Sequence, residues 1–286
     1  MTEAEGSFSP WLRRFVGLCG LCCAFLIGAC EEPVPDDLAR ADALFRAGRL
    51  EAAAAAYTGL GEEAKGWRPF AAYRAAVIYR DALGDSRRAE KAFEECNRRY
   101  PMDSWGYSCL VELGDLRRDA RRFRAAISSY RAALEQRPRG SLAEHSLFHS
   151  GRCYLALGEF EQARVEWQEL GREFPASALL PEVSLERARS FDLQGRYRDA
   201  LEAYQATLED HPGGLEEVLA AYGVAESYEQ MGMLKEAELA FRSVLERHPN
   251  RQAVELKLSS LESRMERRDR EPTQVIQHGR VLNPSR

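Results

Sequence analysis

Small and aromatic residues recur along this chain at a fixed interval, with polar residues filling the positions between them. Alanine stands at Ala89, Ala126, Ala163, Ala200 and Ala237, a step of 37 residues (126 − 89), and an aromatic follows each one four residues later: Phe93, Tyr130, Trp167, Tyr204 and Phe241. A four-residue offset puts both side chains on one face of a helix. Twelve residues before the alanines runs a second small-residue column, Ala41, Gly114, Gly151, Ala188 and Ala225, interrupted by Val77. Leu44, Tyr154, Phe191 and Tyr228 come three residues after that column, whereas Arg80 and Arg117 break the pattern there. Each period therefore predicts two amphipathic helices. Gly48, Gly84, Gly158, Gly195 and Gly232 fall between them, where a positive φ ends one helix tightly. Pro101, Pro138, Pro175, Pro212 and Pro249 keep the same step and stop the second helix. Such a period means stacked copies of one helical hairpin, and hence a binding surface before an enzyme.

The first copy, Gly48 through Ala53 to Tyr57, is looser: its period is one residue short (89 − 53), and Lys65 stands where the proline would be. Beyond Asn250, Gln252 to Arg268 reads as one more helix, with Val254, Leu256, Leu258, Leu261 and Met265 forming a partial apolar stripe. Its polar outer face suits a cap that closes the stack. From Glu271 the chain is polar and broken by Pro272 and Pro284, which predicts disorder over 271–286.

The small-x-x-aromatic first helix, the alanine-x-x-x-aromatic second helix and the terminal proline resemble the tetratricopeptide repeat (TPR), over about residues 37–249. The resemblance implies an all-α solenoid, a right-handed superhelix of about six hairpins, with a capping helix over 250–270. It also implies a concave groove lined by the first helices. Carried across from the family, one groove column is Arg74, Val111, Phe148, Leu185 and Tyr222, and the next is Ile78, Asp115, Arg152, Arg189 and Glu226. The groove residues expected from it are Arg74, Asp115, Phe148, Arg152, Leu185, Arg189, Tyr222 and Glu226. Chaperone-binding members place lysine and asparagine in these columns to clamp a carboxylate, but here the first column is mainly apolar. A peptide or helix carrying some acid suits it better.

The N-terminus has a different character. Arg13 and Arg14 precede an apolar run from Phe15 to Gly28, which is shorter than a bilayer span and ends Ile27-Gly28-Ala29-Cys30. This stretch resembles a bacterial lipobox. The resemblance implies a signal peptide over 1–29, a lipidated Cys30 and a tether over 30–36. Multiple acyl chains on Cys30 make a stable anchor, and Glu31, in place of the aspartate that retains enteric lipoproteins at the inner membrane, favours the outer membrane, periplasmic face.

Composition changes this picture little. The chain of 286 residues is about 45% hydrophobic and carries a net charge of −5. That balance excludes a nucleic-acid footprint. Of seven cysteines, Cys96, Cys109 and Cys153 lie in the array. Cys96 comes late in one repeat and Cys109 early in the next, so a Cys96–Cys109 disulfide fits, with buried free thiols as the alternative.

His145, His149 and Cys153 share a helix face at a spacing that can hold a metal, but no fourth ligand is marked and no HExxH pattern occurs. They read as packing or surface residues, with neither a metal nor a cofactor. His211 and His248 precede repeat prolines, where they can bond the last helix carbonyls. Arg117, Arg118, Arg121, Arg122 and Arg124 crowd one hairpin and read as a solvated turn, or else as a contact for an acidic surface. No phosphate loop, nucleophile elbow or paired carboxylates stand out, so no enzyme is expected.

The sequence thus points to a lipid-anchored periplasmic scaffold that holds other envelope proteins. It resembles the TPR lipoprotein of the outer-membrane β-barrel assembly machinery and the TPR protein associated with the Tol–Pal system. A pilotin-like escort of a secretin and a TPR accessory of peptidoglycan or polysaccharide export are the competing expectations.

Overall fold

The computed structural model describes residues 34–270 together with 275–277 and 280–282. The leader and Cys30 lie outside the described residues. From Asp36 onward the chain forms its own compact unit. Thirteen α-helices follow one another: α1 (Asp36–Arg46), α2 (Leu50–Thr58), α3 (Arg68–Val77), α4 (Ser86–Arg99), α5 (Ser104–Asp119), α6 (Phe123–Gln136) and α7 (Ala143–Ala156), then α8 (Phe160–Glu173), α9 (Leu180–Leu193), α10 (Tyr197–Asp210), α11 (Gly214–Gln230), α12 (Leu234–Val244) and α13 (Arg251–Arg270). Each odd-numbered helix up to α11 pairs with the next one, giving six sequential hairpins, and α13 packs on α12. The all-α repeat architecture expected from the periodicity is the one observed.

The columns explain the packing. All five alanines of the second-helix column are fully buried, and the aromatics beside them are buried among the large residues of the core. The space for those rings comes from the opposing small residues. A Cβ on Gly114 would run into the Tyr130 ring, and one on Gly151 into the Trp167 indole. Trp167 is fixed further by an Nε1–H donated to the Phe148 carbonyl at 3.1 Å. Val254, Leu258 and Leu261 of α13 cover Phe241 and Val244, so the cap completes the last layer.

Chain breaks follow the turn residues. Gly158 (φ 74°), Gly195 (φ 75°) and Gly232 (φ 76°) take the left-handed conformation between paired helices. The third hairpin has Arg121 (φ 57°) at that place, a conformation that costs a side-chain-bearing residue about 1–2 kcal/mol. Asp85 and Asp103 cap α4 and α5 by accepting the Arg88 and Trp105 backbone N–H groups, each at 2.8 Å. Two departures from the regular pattern lie in the second hairpin and its approach. A 3₁₀ segment (Glu62–Trp67) leads into α3, and α3 runs on into a π turn (Ile78–Ala82) closed by Leu83 N–H to the Ile78 carbonyl at 3.0 Å.

The arginine cluster is not a free basic patch. Arg117 and Arg122 both reach Glu90, at 2.9 and 2.7 Å, and Arg124 reaches Glu159 at 2.7 Å. These pairs link the third hairpin to its neighbours on both sides.

β1 (Val275–Gln277) and β2 (Arg280–Leu282) form an antiparallel hairpin in which Ile276 faces Val281. Val275-Ile276 and Val281-Leu282 have strand propensity. No described helix is long and apolar enough to cross a membrane.

Candidate functional site

Cys96 at the end of α4 and Cys109 in α5 form a disulfide, with their Cα atoms 6.3 Å apart. Both are fully buried. The bridge ties the second hairpin to the third, on helices that already touch. Cys153 is free and buried, and burial pushes its thiol up to about 11, so it stays protonated.

The eight groove residues expected from the sequence lie on α3, α5, α7, α9 and α11, and the structure separates them into groups. Phe148, expected in the groove, is 3% exposed and sits in the core with Trp167 and Val183. The small Gly151 draws the Trp167 ring against this helix, and Phe148 fills the adjoining layer. Arg74 is half-buried and lies over the Phe45 and Tyr57 rings at 5.0 and 5.8 Å, with its Nε out of reach of water. It joins the first hairpin to the second.

At the other end, Tyr222 stacks on His248 with ring centroids 4.6 Å apart. Glu226 pairs with Lys257 of the cap at 3.3 Å. Lys257 also reaches Glu229 at 2.9 Å, and Arg264 reaches the same carboxylate at 2.7 Å. Burial disfavours the Lys257 charge, but these carboxylates outweigh that and hold its pKa above the usual value. The cap helix therefore occupies the acidic end of the groove columns.

The middle is different. Arg152 on α7 is exposed, with Glu182 and Glu186 of α9 no nearer than 3.9 Å. Arg189 on α9 is exposed and has no ion pair among the described residues. Leu185 is half-buried on the same helix one turn earlier. Glu186 is buried, and its Oε2 has no hydrogen-bond partner. Two arginines one repeat apart beside an apolar residue make a surface suited to a carboxylate-bearing segment.

Next to Arg152 lies a cluster that the sequence did not assemble. The Asp115 carboxylate of α5 accepts the Tyr130 hydroxyl at 2.6 Å and Arg118 Nη1 at 2.7 Å, both on Oδ1. Nε2 of His145, on α7, is 2.9 Å from each Asp115 oxygen. The His145 and His149 rings are 4.2 Å apart. His149 Nδ1 is buried without a partner. Burial opposes the Asp115 charge, but the bonds from His145 and Tyr130 and the Arg118 charge prevail, keeping its carboxyl below the ordinary range. Burial, reinforced by His145 and Arg118, pushes His149 down to about 3, so it stays neutral near pH 7.

Sequence reading had placed His145, His149 and Cys153 on one face. It missed Asp115 as their partner because that residue is thirty positions away (145 − 115), in another repeat. The repeat period was the available signal, since it makes α5 and α7 equivalent neighbouring helices. His211 and His248 also differ from expectation. Rather than bonding helix-end carbonyls, His211 Nε2 contacts the Ser184 hydroxyl at 3.1 Å and His248 Nδ1 contacts the Asn250 backbone.

Comparisons with known proteins agree with the repeat fold. Models described as tetratricopeptide repeat match residues 70–101, 111–178 and 185–251. Among solved structures, a MamA protein superimposes with a TM-score of 0.54 at 19% identity, covering 66% of this chain and 96% of that one. A TPR protein from Parabacteroides merdae gives 0.55 at 15% identity, covering 81% and 87%. The C-terminal part of a TPR protein from Cytophaga hutchinsonii gives 0.54 at 20% identity, covering 73% and 78%. No curated protein sequence matches the chain significantly.

Proposed function

Because the chain belongs to the tetratricopeptide-repeat family, we propose that it is a lipid-anchored scaffold of the bacterial envelope. In this reading, acids on an extended or helical segment of another envelope protein dock against Arg152, Arg189 and Leu185. The observation that carries the docking mode is the contrast along the first helices. Both ends of the groove columns are engaged within the chain, by Arg74 on the first hairpin and by the cap on Glu226, while in the middle Arg152 is exposed with its acids no nearer than 3.9 Å and Arg189 has no ion pair among the described residues. The family is typically non-enzymatic, in keeping with a scaffold.

Support for the envelope comes from two sources. The segment Ile27-Gly28-Ala29-Cys30 after a short apolar run has the form of a lipidation signal. The Cys96–Cys109 disulfide suits an oxidising compartment such as the periplasm. Attachment through Cys30 on the periplasmic face of the outer membrane, with a part in barrel assembly or in Tol–Pal-type maintenance, is the specific form of the proposal.

One experiment in intact cells tests both halves. Crosslinking followed by purification should recover envelope proteins with the wild type, and Arg152→Glu with Arg189→Glu should lower that recovery about tenfold or more, as loss of charge-assisted contacts does. Cys30→Ala should move the protein from membranes to a soluble pool. Unchanged recovery would remove the docking mode, and unchanged membrane retention would remove the anchor.

A further inference from the structure

Asp115, His145 and His149 each offer a ligand atom, and these atoms all lie within 4.8 Å of one another. They come from two elements, α5 and α7, with the histidines one helical turn apart on the same face. A tetrahedral ion with donors about 2.0 Å away holds its ligands about 3.3 Å from each other. The 2.9 Å separation of His145 Nε2 from Asp115 Oδ2 is already close to that spacing.

The carboxylate is also oriented for the task. Oδ1 is held by Tyr130 and Arg118, whereas Oδ2 meets only His145. One oxygen is fixed by hydrogen bonds and the other is left to coordinate, which is how outer partners position a metal-binding carboxylate. On the histidine side, a buried imidazole nitrogen without a hydrogen-bond partner is costly.

We propose that Asp115, His145 and His149 bind one borderline divalent transition-metal ion, with zinc as the reference case. The donor set argues against calcium or magnesium, which require several oxygens. Two imidazoles and one carboxylate suit zinc, nickel or copper. Arg118 beside Asp115 and Arg152 one turn beyond His149 add positive charge. That charge weakens attraction for a hard cation held by electrostatics alone and leaves the imidazole bonds to select the ion. Cys153 stays outside the ligand group. With three protein donors, a fourth position remains for water or for a group on a bound partner.

The test uses the full-length chain and the bare ions. Titration with Co²⁺, followed by displacement with Zn²⁺, should show one saturable site with tetrahedral-type visible absorption. Asp115→Asn and His145→Ala should each weaken it by at least about tenfold, the size of effect that loss of an outer partner alone produces, with helical circular dichroism unchanged. Any ion held by cysteines elsewhere in the chain is common to wild type and variants and drops out of the comparison. In the unmodified protein, Zn²⁺ should also shift the imidazole resonances of His145 and His149 and leave His211 and His248 unmoved. No saturable binding, wild-type affinity in both variants, or shifts at His211 and His248 alone would overturn the proposal.

Discussion

His149 shows how much a single position depends on its layer. It packs at 6.3 Å from the Tyr130 ring and 5.1 Å from that of Phe148, and burial pushes its pKa down to about 3. The unfolded chain binds this proton near pH 6.5 and the folded chain does not, so stability is full above that pH and falls as the solution is acidified. Between pH 7 and pH 5 the loss through this residue should be about 2 kcal/mol. Asp115 adds to the loss only at lower pH, because its folded pKa is depressed and its stabilisation fades as it protonates. Urea denaturation at the two pH values checks this, and His149→Gln should flatten the difference. An equal slope in that variant would assign the proton elsewhere.

Residues of this kind are the least legible in sequence. The alanine and aromatic columns announced their burial because every repeat restates them. Phe148 and Leu185 occupy the same column, yet the first is core and the second half-exposed. Which of them meets solvent depends on the neighbouring layer, here the Trp167 ring seated over Gly151, and a column position alone does not carry that information.

At the scale of the element, the hairpins were readable and the joints between them less so. Proline and glycine mark most helix ends because each acts through its own backbone. The π turn after α3 has no such marker, and neither does Arg121, which holds a glycine conformation without being glycine. The Cys96–Cys109 bridge is a joint that sequence placed on neighbouring helices without deciding it. Closing a loop across 13 residues of separation should stabilise the folded array by about 3 kcal/mol through the unfolded chain. Thermal unfolding of the oxidised protein against Cys96→Ala with Cys109→Ala measures it. Identical midpoints, together with alkylation of both Cys96 and Cys109 in the unfolded wild type, would show that the bridge does not form.

For the array as a whole, contacts run between successive helices and nearest hairpins. Stability in such a stack is a sum of local layers, so damage should stay local. Leu261 of the cap is fully buried against the last hairpin. Leu261→Ala should cost about 2–5 kcal/mol and speed amide exchange in α11, α12 and α13 while α5 to α8 keep their protection. Uniform acceleration along the chain would mean that the array unfolds as one block. The disulfide has a mechanical counterpart to this locality. Under tension between its ends such a stack would peel away layer by layer from the unstitched side, and the crosslink would act as a stop. The stretch of backbone between the two sulfurs, about 45 Å if drawn out fully, would stay withheld from the released length for as long as the bond remained oxidised.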